Sequence, residues 1–128
     1  MKITIEISPG ELVDRTTILR LKSARITDPQ KWEVVRAELA RHEDLVAALP
    51  SDVALGLLVD RLFVINARLW EIEESIRICE RALDFGPRFI KLARDVYLTN
   101  DERFGVKREI DQLLGAAVME VKSYGLNS

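Results

Sequence analysis

Residues 52–84 carry one unbroken helical stripe: Leu55, Leu58, Leu62, Asn66, Leu69, Glu73, Ile76, Glu80 and Leu83. No other feature limits the fold as much. Apolar residues every three or four positions mark an amphipathic helix. About 33 residues at ~1.5 Å each make a rod roughly 50 Å long, beyond the ~30 Å of a small globule. "DFGP" at 84–87 ends the rod. Gly86 is expected in the left-handed conformation there, and Pro87 cannot continue the preceding helix. A second long helix starts at Pro87, with Phe89, Leu92, Val96, Ile110 and Leu114 on one side. Its stripe passes Gly115 and resumes at Val118 and Val121, so the helix is drawn to about 123. A stop at Gly115 with a short strand after it is the alternative. The centre of the fold is therefore a long antiparallel hairpin, about 52–84 and 87–123.

The first half supplies a shorter hairpin, about 9–26 and 28–49. Ser8-Pro9-Gly10-Glu11 reads as a helix start with a capping box. Leu12, Leu19 and Ile26 recur every seven residues, while Val13, Ile18 and Leu21 lie on other sides. That helix is covered on more than one face. Thr27 and Gln30 form a second capping box, and Ser51 caps the third helix. Ahead of all four helices, Ile3, Ile5 and Ile7 alternate with Lys2, Thr4 and Glu6. This is a half-buried strand pattern over residues 2–7, and such a strand needs a partner. The short hairpin cannot cover the whole rod, and apolar stripe left exposed at the far end favours a homodimer.

A chain of 128 residues is one domain, 1–128, with a real core. Nineteen basic against 21 acidic residues leave no basic excess for a nucleic-acid surface. Cys79 stands alone, so no intramolecular disulfide forms, and it reads as a small buried residue. The one histidine, His42, lies in line with Trp32, Val35, Leu39, Val46 and Leu49 and reads as half-buried and hydrogen-bonded. Zinc, Ser/His/Asp and Cys/His chemistry lack their residues, and no cofactor or metal is expected. Glu71 and Glu74 lack a second well-spaced acidic pair, so they read as solvated surface rather than a magnesium site. No apolar run approaches the ~18 residues of a membrane span, and no signal pattern opens the chain. A cytoplasmic protein is expected.

Polar residues interrupt both long stripes. Asn66, Glu73 and Glu80 recur every seven residues on the third helix, and Asn100 and Lys107 lie seven apart on the fourth, with Arg103 between them. A tight turn between Gly86 and Pro87 makes facing residues sum to about 173, to within a residue or two. Glu73 then faces Asn100, Asn66 faces Lys107, and Trp70 faces Arg103, with Arg77 one turn away. A buried unpaired charge costs several kcal/mol, so these groups need each other. Three readings follow. The belt is a buried network that fixes hairpin register; or it is an open pocket lined by Glu73, Arg77, Asn100, Arg103 and Lys107, suited to an anionic group; or "TND" at 99–101 breaks the fourth helix.

"ISPGELVDRTTIL", "RITDP", "LWEIEESIR", "FGPRFIKLARDVYLTNDERFGVKREI" and "VKSYG" together resemble an uncharacterised bacterial family of small helical proteins, a domain of unknown function. The similarity spans almost the whole chain. The chain departs from the family pattern at Phe104-Gly105 and at 115–117. Members occur near, or fused to, glycosyltransferase and tetratricopeptide-repeat proteins of cell-surface polysaccharide synthesis. The resemblance therefore implies a neighbourhood and a glycosyltransferase partner, and it carries no catalytic residue over. Its motifs include Glu73, Arg77, Asn100, Asp101, Arg103 and Lys107.

Two functions are open at this point. The first is a non-catalytic accessory or interaction module serving surface-polysaccharide glycosyl transfer. The second is a ligand-binding or enzymatic protein. In it Arg77, Arg103 and Lys107 hold an anionic substrate such as a nucleotide sugar, and Glu73 orients them or acts as base.

Overall fold

The computed structural model of the chain describes residues 1–115. Its elements are α1 (Pro9–Arg25), α2 (Pro29–Ala47), α3 (Val53–Arg81) and α4 (Pro87–Leu113). The protein is all-α over this range, and no strand occurs among the described residues. The expected strand at 2–7 does not form. Ile3 and Ile5 are exposed, and among the described residues the alternation finds no partner backbone to pair with.

Local chemistry sets each helix end. The Ser8 hydroxyl accepts from the Glu11 amide at 3.1 Å, with Pro9 in the first turn. Two expected caps move by one residue. Asp28, not Thr27, accepts from Gln30 N at 2.9 Å, and Asp52, not Ser51, accepts from Ala54 N at 2.7 Å. The α3 terminus also differs from expectation. Leu83, with φ 54°, takes the left-handed conformation assigned to Gly86. Leu83 N donates to Glu80 O and Asp84 N to Cys79 O, at 3.1 and 2.9 Å. These are the two bonds of a Schellman stop. Gly86 is extended and caps α4 instead. At the far end α4 stops at Leu113, and Gly115 has φ 61°. The drawn extension across 116–123 lies outside the described residues. The "TND" segment does not break α4.

α3 and α4 form the expected antiparallel pair. Arg61–Glu109 at 3.0 Å and Arg68–Glu102 at 2.8 Å mark its register. Each pair sums to 170 rather than 173, because the early stop at Leu83 centres the turn near Phe85. α1 lies along one face of this hairpin and touches both helices, while α2 packs on α1. Leu12, Val13, Asp14, Thr16, Thr17, Leu19 and Leu21 are all buried, so α1 is enclosed on several sides. The core joins Val13 to Leu55, Leu62, Ile65, Val106 and Ile110. Each such side chain contributes about 1.5–3 kcal/mol on burial. α1 ends beside Trp70, where Arg25 bonds Glu71 at 2.8 Å and lies 5.5 Å over the indole. Past that point α3 and α4 run on as a two-helix arm. Ile72, Cys79 and Thr99 are its buried residues.

Candidate functional site

α1 enters among the polar residues of α3 and α4 and closes off part of them. Asp14 is fully buried. Arg103 Nε donates to its Oδ1 at 2.9 Å while Nη2 grips Oδ2. Asn66 Nδ2 donates to Asp14 Oδ1 at 2.9 Å and to the Thr17 hydroxyl at 2.8 Å. That hydroxyl in turn donates to Asp14 O at 2.8 Å. One carboxylate thus binds groups from both long helices, in a planar two-point pair that arginine is shaped to make.

One turn further along, Lys107 is 6% exposed. Its Nζ donates to Glu11 Oε2 at 2.6 Å and stands 3.9 Å from Asp14 Oδ2. Burial pushes the Glu11 carboxyl up, but the Lys107 ammonium and the Arg15 guanidinium outweigh it and hold the group below its ordinary value. At the start of α1, Gly10 N donates to Asp111 Oδ1 at 2.7 Å. Asp111 Oδ2 is buried and accepts no bond. The positive end of α1 faces this carboxylate and offsets its burial. Gly10 is required sterically: a Cβ there would collide with the Lys107 carbonyl oxygen and lie 2.9 Å from Asp111 Oδ1.

The five expected site residues therefore divide. Glu73, Arg77, Asn100 and Arg103 line one open pocket of about 420 Å³, with Ile18, Leu21, Leu69 and Trp70 as its apolar wall. Lys107 is not at that pocket; it lies in the closed network. Asn66 does not pair with Lys107, and its amide turns to α1 instead. Glu73 and Arg77 are exposed and make no ion pair among the described residues. Asn100 Oδ1 takes only a long 3.4 Å contact from Arg103. Two of the three cations assigned to an anionic ligand are thus engaged by carboxylates of α1. The indole Nε1 of Trp70 donates to Glu74 at 2.9 Å.

Glu11, expected to complete the capping box, instead accepts from Lys107 and Arg15, and the sequence does not single out Asp14, Thr17 or Asp111. A signal for Asp14 was present. A helix enclosed on several faces must bury some of its polar residues, and a buried Asp14 needs a cation. His42 is half-buried, its Nδ1 2.9 Å from Glu38 O, on a helix that does not line the pocket. No group of three or more His, Cys, Asp or Glu side chains placed to hold a metal ion occurs among the described residues. No helix there is long and apolar enough to cross a membrane.

Comparison with curated proteins and with solved structures gives no match. A family model does match, over residues 1–127, and the chain belongs to that family, DUF6165, a family of unknown function.

Proposed function

We propose that the chain is a non-catalytic interaction module that engages another protein through its two-helix arm. One observation carries this reading. The hairpin runs past the end of α1, and the arm leaves Leu83, Phe85, Ile90 and Tyr97 exposed. A single exposed apolar residue is ordinary, but a cluster at one end of a rod is a docking surface. The polar belt adds support. Its charges are largely consumed in fastening α1, as a scaffold requires and a reaction centre does not. The resemblance supplies the setting, cell-surface polysaccharide glycosyl transfer, and the partner class, a glycosyltransferase. A tagged chain expressed in its source cells should co-purify with such an enzyme. An Ile90→Asp/Tyr97→Ser variant with unchanged helicity should not. Equal recovery by both chains would remove the arm as the binding element.

A second reading rests on the open pocket, where Glu73, Arg77, Asn100 and Arg103 converge beside Trp70. Pockets of a few hundred Å³ with an apolar wall and a few polar groups hold small ligands. Thermal-shift measurements with nucleotide sugars and divalent cations test it. No stabilisation by any of them would eliminate the anionic-ligand version.

A further inference from the structure

The α3–α4 hairpin has a second face, turned away from α1. On α3, Val53, Leu57, Val64 and Ile78 follow helical spacing along it, and on α4, Leu98 and Leu113 do. Leu57 is 62% exposed and Val64 57%. Between the helices runs a shallow groove of about 780 Å³, floored by Ile65, Gly105 and Val106. No residue of α1 or α2 lines it. Among the described residues nothing lies within 4 Å of where a Gly105 Cβ would sit, so they give this mid-helix glycine no steric reason. Such a glycine costs its helix about 1 kcal/mol.

Charge marks the two edges differently. Arg61 and Arg68 stand seven residues apart on α3, and Glu102 and Glu109 seven apart on α4. Asp60 also lines the α3 side, so that edge is positive on balance, two arginines to one carboxylate, and the α4 edge is a negative row. They also meet across their own groove, but all four side chains are about half exposed. Such pairs hold little free energy and exchange partners readily.

We propose that this face binds the same face of a second copy, with the two-fold axis parallel to the helices. That symmetry sets α3 of one copy over α4 of the other, so arginine rows oppose glutamate rows at both edges. A two-fold axis perpendicular to the helices would set arginine over arginine and glutamate over glutamate. The charge pattern therefore selects one of the two antifacial pairings. A face roughly 40 Å long and two helices wide offers on the order of 700 Å² per copy, close to a standard stable interface. Gly105 lies where the opposing helix comes nearest.

Light scattering combined with single-cysteine cross-linking tests this, in chains carrying Cys79→Ala. The expected mass is twice that of the chain. Leu57→Cys and Leu98→Cys, in separate variants, should each cross-link copy to copy. The two heights differ by roughly 22 Å along the hairpin, so the perpendicular axis cannot satisfy both. Arg61→Glu/Arg68→Glu should weaken the dimer at least about tenfold. Adding Glu102→Arg/Glu109→Arg to the same chain should restore it. A monomer mass at about 100 μM overturns the proposal, because something other than a second copy then covers the face. So does a dimer that fails to cross-link at either position, or one indifferent to the arginine reversal.

Discussion

Asp14 of α1 and Arg103 of α4, 89 residues apart in the chain, hold each other by two parallel hydrogen bonds inside the fold. The carboxylate is buried, and Asn66 of α3 adds a third donor to it. α1 therefore docks at one height only. Sliding it by a turn would strand a charge in an apolar environment, at a cost of several kcal/mol.

Asp14→Ala should destabilise the protein by about 3 kcal/mol, because it leaves a guanidinium without its counter-ion. Asp14→Ala/Arg103→Met should recover part of that loss. Urea unfolding of the two single variants and the double variant gives the coupling. Simple additivity would mean the pair does not act as a unit.

Gly10→Ala places a methyl group against the Lys107 backbone and beside Asp111. Backbone cannot rotate away as a side chain can, so α1 must lift. The expected loss is about 1–3 kcal/mol. Gly105→Ala, in open space on the same fold, should instead stabilise the monomer slightly. Parallel melting curves compare the two.

Acid should loosen the α1 contacts. The Glu11 carboxyl titrates below its ordinary value of 4.5 because Lys107 and Arg15 outweigh burial. Glu43 also titrates below it, chiefly through its hydrogen bond from Arg20. Each group is lowered on folding, so its contribution is complete above about pH 4.5 and is lost as pH falls through the folded value. Melting temperature should fall across that window. A Glu11→Gln variant should start lower and show a shallower acid limb.

Lys107→Met should cost about 1–3 kcal/mol, since it removes the buried ammonium that Glu11 accepts from and that stands 3.9 Å from Asp14, while Arg15 and Arg103 remain. Glu73→Gln and Arg77→Met, both at exposed sites, should each stay within about 0.5 kcal/mol of the parent. Equal losses in all three would contradict the division between closed network and open pocket.

Much of this architecture was legible in the residues. The four helices, the hairpin and the intrusion of Asn66, Asn100, Arg103 and Lys107 follow from period and punctuation. Two things did not. The alternation of Ile3, Ile5 and Ile7 reports only that one side is apolar, and a strand exists only where another backbone accepts it. The partners of the α4 cations lie on α1 rather than on α3, the neighbouring helix in the chain, and sequence gives register within a hairpin but not across 89 residues. Asp14 looks like an ordinary surface residue until α1 is set in the angle between the two long helices. The caps at Asp28 and Asp52 slipped by one position for a smaller reason: serine, threonine and aspartate compete for the same amides.

Cys79 is 1% exposed in the arm that α3 and α4 form. An alkylating reagent in solution can react with its sulfur only when those helices part. The sulfur is therefore a built-in clock for breathing of the rod's outer end, readable without any label. Labelling much faster than global unfolding would identify that end as the first region to come apart.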